Sequence, residues 1–494
     1  MTAGWTLGAS AQNAAAVDPD GLAVVDATTR WSWADLDRRA DDVAAALGRA
    51  GVRIGAHVGL LAGPSSDAIA ALHGIARTGA VAALLPANLT GAELGVATAD
   101  MAVEVVLVDR DHRAASTAIR DPIQLEDIPP GAPSPVFAEV PAQAPAVIVL
   151  TSGTTDRPKA AVLSGAALVA SAEAWLAALP PATGWLLAVG LGHVAGLGVV
   201  WRAALGRVPL VVLERASPDA ILGALRTDPY PSHASLVPTM LARLLDLPDA
   251  APPDTLRAVP LGGGPIDPGL VERAIAAGWP VVPTYGLTEA GSGVTALPTA
   301  EAVAHPGSAG RPLPGVRIRI DDPDRDGIGE IVVDTPARFS GYLGDATAAE
   351  AATATDRWLR TGDHGRLDED GRLTVIDRRT DRIVRGGENV SPAEVEAVLR
   401  RHPAIADAAV VARPDPVYGQ VPVAVVVVRE GATDPTDDAL AAHCREQLAR
   451  FKIPVAFDRR SSLPRTASGK VRRAELRRAE LREARHEDRQ GEPA

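Results

Sequence analysis

Several short stretches of the chain gather hydroxyls, glycines and charges at spacings that suit phosphate chemistry. The first, VLTSGTTDRPKAA from Val149 to Ala161, is a Ser/Thr/Gly-rich loop that runs into Lys159. Its hydroxyls and backbone N–H groups can meet phosphate oxygens. The candidates are Thr151, Ser152, Gly153, Thr154, Thr155 and Lys159. Lys159 lies six positions after Gly153 with no Ser or Thr behind it, which fails the Walker A spacing. Asp156 adds a negative charge where an incoming anion would be repelled. A polar strand-to-helix turn is the other reading of the stretch.

A second stretch, PTYGLTEAGSG, sets Tyr285, Gly286, Thr288 and Glu289 directly after an apolar run. An aromatic face can stack on a purine, a hydroxyl can bond a phosphate and a carboxylate can hold Mg²⁺. A structured loop with its Glu in water is the alternative. In LGGGPID, Gly262, Gly263 and Gly264 either let backbone approach a flat ring or make a tight turn. WLRTGDHGRL and VIDRRTDRIVRGGENVSPAEVE crowd Asp363, Arg378 and Glu388 into glycine-bearing turns, where Asp363 can accept both hydroxyls of a ribose. LPRTASGKVRR carries Lys470 after a Ser-Gly turn, a setting in which a lone lysine is ordinarily a solvated charge.

One fingerprint competes. LLAVGLGHVAGLG places Gly190, Gly192 and Ala195 at G-x-G-x-x-G/A spacing, with Glu214 ending the next strand 24 positions after Gly190. That pattern suits a dinucleotide site, so an NAD(P)-dependent oxidoreductase stands as a remote alternative.

The elements that position these residues alternate in type. AHVGLLAG, GAVAALLP, EVVLVD, AVIVLTSG, WLLAVG, VPLVVLE, LRAVPLGGG and PVVPTYG predict buried strands, while WADLDRRADDVAAALGRAG and PTMLARLLDL carry apolar residues at helical spacing. Such alternation predicts an α/β fold with a mostly parallel, helix-covered sheet. From about Gly307 short strands with turn signals predict a β-rich subdomain. A compact α+β unit follows, in which Ser391 caps a helix that begins at Pro392, with Glu394 three residues after the cap. The domains expected are 1–379, 380–476 and a charged, frayed tail over 477–494.

Composition narrows the classes. Of 494 residues, 47% are apolar and 22% charged, as in a globular protein. A net charge of −12 argues against non-specific nucleic-acid or anionic-membrane binding. The single cysteine, Cys444, excludes an intramolecular disulfide and sits in an ordinary helix face. No basic n-region with an apolar core opens the chain, and no uncharged apolar run approaches the ~18 residues of a membrane span. The expectation is a cytoplasmic protein, monomeric or homodimeric, without stable membrane insertion.

Taken in order, TSGTTxxPK, GGGPI, YGLTE, RTGD, the DR…D…GGENVSPAEVE run and PRTASGK resemble the AMP-forming acyl-CoA synthetase and adenylation superfamily, the ANL enzymes. The register holds from roughly Trp31 to Leu476. PKAAV, GHVAGLGVVWRAALG, HASLVPTMLARLLD and LRAVPLGGGPI carry a narrower likeness to the o-succinylbenzoate–CoA ligases of menaquinone biosynthesis. Ligases of another aryl or short- to medium-chain fatty acid share part of that pattern.

The resemblance implies a large N-terminal domain, a small mobile C-terminal one, and ATP, Mg²⁺ and CoA as co-substrates and cofactor. By the same likeness Thr151 to Thr155 and Lys159 hold the β- and γ-phosphates, and Tyr285 and Gly286 with Gly262 to Gly264 enclose the adenine. Thr288 takes the α-phosphate and Glu289 the Mg²⁺. Asp363 takes the ribose, Arg378 the ribose–phosphate region, and Lys470 bridges substrate carboxylate and α-phosphate. His193 lies at the mouth of the acyl pocket, and Arg202, one turn beyond the helix start, faces a second carboxylate. Thr380 is the hinge, and Gly386 and Gly387 pass close to the pantetheine.

Overall fold

The structure, a computed structural model, describes residues 8–480 other than 88, 90, 114–120, 132–139, 152–158, 228, 265, 345–356, 379–382, 386–387, 416–417, 449, 466–470, 474 and 479. The chain forms two compact units, one of residues 1–319, 332–361 and 368–373, the other of 320–331, 362–367 and 374–494.

All eight strands expected from the apolar runs are present in the first unit. A seven-stranded sheet runs in the order Gly341–Tyr342, Lys159–Ser164, Pro145–Thr151, Val81–Leu84, His57–Leu61, Val105–Val108, Ile123–Gln124. Its last five strands are parallel, and the antiparallel hairpin Pro145–Thr151/Lys159–Ser164 turns the chain back at one side. Leu61, Val81, Val106 and Ile148 are fully buried, which is why those runs lack polar alternation. A five-stranded sheet, His233–Ala234, Trp185–Leu187, Leu210–Val212, Leu22–Val25, Arg30–Ser32, is parallel except for its final hairpin. A third sheet pairs Val259–Leu261 in parallel with Val281–Leu287, which returns antiparallel through Ser292–Ala296.

Local signals set the helix ends. Ser32 accepts from the Asp35 N–H while the Asp35 carboxylate accepts from the Ser32 N–H, a reciprocal cap at the start of Trp33–Arg49. Leu36, Ala40, Val43 and Leu47 then fall on one buried face.

The second unit contains the expected cap at Ser391, whose hydroxyl accepts from the Glu394 N–H ahead of the helix Pro392–Arg400. The Glu394 carboxylate turns outward to Lys452 at 2.7 Å. That helix and Asp437–Arg445 pack Val395, Leu399, Leu440 and Cys444 against Ile405, Val410 and Val426 of the long antiparallel pair Ile405–Asp415/Gly419–Val428.

Candidate active site

Thr151 and Lys159 face each other at the open end of the Pro145–Thr151/Lys159–Ser164 hairpin, and the Thr151 hydroxyl donates to the Lys159 carbonyl at 3.2 Å. The hairpin therefore fixes both feet of the loop. Ser152, Gly153, Thr154, Thr155 and Asp156 lie outside the described residues. The Lys159 ammonium stands 5.1 Å from the centre of the Tyr342 ring. The Tyr342 hydroxyl in turn donates to the Glu289 carboxylate at 2.7 Å, and the Phe339 N–H donates to the Glu289 carbonyl at 2.9 Å. Two motifs 130 positions apart in the chain, at Lys159 and Glu289, thus meet through one tyrosine.

The turn that carries Thr288 and Glu289 is a single 3₁₀ turn closing on Gly291 at φ 68°, with Ser292 at φ 108°. Ser292 has a Cβ in the left-handed half of backbone space, so the turn holds strain. Packing retains it. The Ser171 hydroxyl donates to the Gly291 carbonyl at 2.6 Å, and a Cβ at Gly286 would lie 1.7 Å from the Ser292 oxygen. Leu261 pairs with Pro283, so Gly262 to Gly264 leave their strand beside the one that leads to Tyr285. A Cβ at Gly262 would meet the Thr284 hydroxyl at 2.4 Å, and Gly263 has φ 79°, which is why this loop is built of glycine. Tyr285 is largely buried, with its N–H on the Thr295 hydroxyl.

His193 caps the helix Val194–Gly206 through its backbone, and its side chain is exposed. Arg202 sits more than two turns into that helix, not one, because the helix already starts at Val194. The guanidinium is 2% exposed and lies 4.6 Å from the Trp185 ring centre and 5.3 Å from that of Trp175. Its Nε donates to the Gly198 carbonyl at 2.9 Å, while Nη1 is buried without a partner among the described residues. Among the described residues no carboxylate pairs with it, and burial pulls its pKa down to about 9, still charged at neutral pH. His233, tilted against Trp185 at 4.8 Å, is driven down to about 4 by burial, with the Arg202 and Arg257 charges adding to the effect. The neutral imidazole adds no positive charge beside Arg202 at neutral pH.

One helix joins the two clusters. Ser171, which pins the turn bearing Glu289, and Trp175, which stacks on Arg202, are one turn apart on Gly165–Ala178. The Trp175 indole edge lies against Gly293, where a Cβ would come within 2.4 Å. Tyr342, Ser171, Trp175 and Trp185 were not among the residues expected from motifs.

In the second unit, Asp363 is 5% exposed on the strand Leu359–Leu367, beside Gly362, whose N–H donates to Glu330 at 3.2 Å. Arg378 ends the strand Leu373–Arg378. Thr380, Gly386, Gly387 and Lys470 lie outside the described residues. Of the two glycines in the competing dinucleotide fingerprint, a Cβ at Gly192 would press on Pro86 at 3.1 Å, while one at Gly190 would meet nothing within 4 Å. Cys444 is fully buried, and burial raises its thiol to about 11. Among the described residues no helix is long and apolar enough to cross a membrane.

The AMP-binding enzyme family matches residues 11–343, and the AMP-binding enzyme C-terminal domain matches residues 394–470. A 2-succinylbenzoate–CoA ligase of Bacillus licheniformis is 34% identical over 475 residues, 93% of this chain and 97% of the relative. The o-succinylbenzoate CoA synthetase of Bacillus subtilis, solved with its acyl-adenylate intermediate, matches at a TM-score of 0.88 and 31% identity, over 94% of this chain and 97% of that one. The same synthetase solved with ATP and a magnesium ion gives 0.86 at 31% identity, over 94% and 98%. The resemblance expected from the motif order is borne out.

Proposed function

The chain belongs to the AMP-binding enzyme family, and we propose that within it the protein is an ATP-dependent ligase joining o-succinylbenzoate to CoA through an acyl-adenylate. A carboxylate oxygen of the acid attacks the α-phosphorus, the bond to the β-phosphate oxygen breaks and pyrophosphate leaves. The CoA thiolate then attacks the acyl carbonyl and AMP departs with the bonding pair. Two anions must meet in the first step, so positioning and charge neutralisation supply most of the rate gain.

In this reading the loop from Thr151 to Lys159 holds the β- and γ-phosphates, while Tyr285 and Gly286 enclose the adenine with Gly262 to Gly264. Thr288 bonds the α-phosphate, Asp363 and Arg378 the ribose side, and Lys470 places its charge between the reacting carboxylate and the α-phosphate. Glu289 fits a magnesium ion, because a hard cation that keeps water and phosphate oxygens needs only one or two protein carboxylates. The ion supplies neutralisation of the phosphate charge. The C-terminal domain turns about Thr380 to exchange Lys470 for Gly386 and Gly387, which line the path of the pantetheine.

One observation carries the choice of acid: Arg202, charged, buried and without a counter-ion among the described residues, on the helix that His193 caps. Leaving a guanidinium in that state is costly unless an anion arrives to pair with it. o-Succinylbenzoate brings such an anion, since one of its two carboxylates is activated and the other is not. Arginine suits this task through its fixed fork of donors. A ligase for an aryl or fatty monocarboxylic acid leaves Arg202 unexplained. Pyrophosphate release over a panel of carboxylic acids, with and without CoA, tests the reading. The expected preference is for aromatic dicarboxylic acids, and a preference for monocarboxylic acids would sink it. The protein works in the cytoplasm, where ATP and CoA are supplied.

A further inference from the structure

The strand Gly341–Tyr342 lies antiparallel on Lys159–Ser164, with Gly341 opposite Val162 and Tyr342 opposite Ala161. Main-chain bonds on both sides hold it there, from the Ser340 N–H to the Val162 carbonyl and from the Leu343 N–H to the Ala160 carbonyl, each 2.8 Å. Tyr342 is thus locked to the same strand that carries Lys159. Phe339 packs edge-on at 4.9 Å and limits how the phenol ring can turn. The ring face meets the Lys159 ammonium and the hydroxyl meets the Glu289 carboxylate.

We propose that Tyr342 is a positioning residue that holds Lys159 and Glu289 in place for a magnesium-bound nucleotide. The inference rests on the reading of those two groups given above. A phenol donating to a carboxylate makes a charge-assisted bond, which occupies Oε1 and leaves Oε2 outside that bond. The aromatic face meanwhile gives the ammonium a favourable seat. Among the described residues Glu289 has no ion-pair partner, so Lys159 and Glu289 do not neutralise each other. The Glu289 carboxylate stays available for the metal.

Calorimetric binding of ATP with Mg²⁺, ATP with EDTA, and AMP separates these roles in the wild-type protein, Tyr342→Phe and Tyr342→Leu. Tyr342→Phe keeps the ring and loses the hydroxyl. It should leave AMP and metal-free ATP within about twofold of wild type, while the gain in ATP affinity from magnesium falls about tenfold, the size of one charge-assisted hydrogen bond. Tyr342→Leu should additionally weaken metal-free ATP by about threefold, the lower range of a cation–π contact. An unchanged magnesium effect in Tyr342→Phe overturns the inference alone, as does a parallel loss for AMP, which a merely structural role would produce. A wild-type protein with no magnesium effect contradicts the nucleotide reading itself, and Tyr342's role with it.

Discussion

Arg473 places one guanidinium nitrogen, Nη2, 2.8 Å from both carboxylate oxygens of Glu396. Glu396 is 2% exposed on the helix Pro392–Arg400 and also accepts the Val410 N–H at 2.8 Å. Next to Arg473, the Arg472 N–H reaches the Pro464 carbonyl at 2.8 Å and Arg465 bridges to Val471, so the segment bearing Lys470 is closed at its base. The ion pair ties that base to the core of its unit. Glu396→Gln should slow acid-dependent pyrophosphate release at least tenfold, yet leave thioester formation from supplied acyl-adenylate within about threefold. Circular dichroism confirms folding, because breaking a buried pair costs about 3–5 kcal/mol. An equal fall in both half-reactions would mean that the pair serves stability alone.

Lys470 itself gives the sharper version of that experiment. Lys470→Ala should abolish adenylation and still convert acyl-adenylate to thioester, since only the first step brings two anions together. Loss of both halves in a folded variant contradicts the rotation of the C-terminal domain.

Arg202 should weaken the fold that it serves. Its charge is buried against two indoles and pairs with no carboxylate among the described residues, and methionine approximates its length without a charge to desolvate. Arg202→Met should therefore raise Tm by roughly 1–3 °C. It should also raise KM for o-succinylbenzoate by at least tenfold, with a smaller change for a monocarboxylic analogue. A lower Tm with KM untouched would make Arg202 a packing residue.

Cys444 supplies a pH test. Its thiol is raised from 9.0 to about 11 by burial, so at pH 8 the thiolate fraction is about 100-fold smaller than in the unfolded chain. Native protein should resist iodoacetamide at that pH and retain adenylation, whereas urea-unfolded protein labels readily. The sign for stability follows: the folded state favours the protonated thiol, so its contribution is intact below about pH 9 and is lost between 9 and about 11. Rapid native labelling with loss of activity would give Cys444 a role that the structure denies it.

Periodicity disclosed eight strands of the first unit because each contains a short buried apolar run, and Ser391 was legible because a cap is chemistry among neighbours in sequence. Tyr342 was not legible. Its place depends on pairing with Ala161, 181 positions earlier, and nothing in ARFSGYLGD records that partner. The Trp175–Arg202–Trp185 stack was hidden for the same reason, since two helices and a strand must fold before the two indoles and the guanidinium meet. Arg202 lies more than two turns along its helix, not one, because the helix starts immediately after His193. Asp363 was legible as a polar residue in a turn motif, but its strand and its burial were not.

The central claim is that a dicarboxylic acid is activated as an adenylate and passed to CoA. The direct measurement is mass spectrometry of the protein incubated with o-succinylbenzoate, ATP and Mg²⁺, first without CoA and then with it. The account predicts pyrophosphate and an enzyme-bound o-succinylbenzoyl-adenylate before CoA, then AMP and o-succinylbenzoyl-CoA in equal amounts after it. Absence of the adenylate from o-succinylbenzoate, with a benzoate or fatty-acid adenylate accumulating in its place, would contradict it.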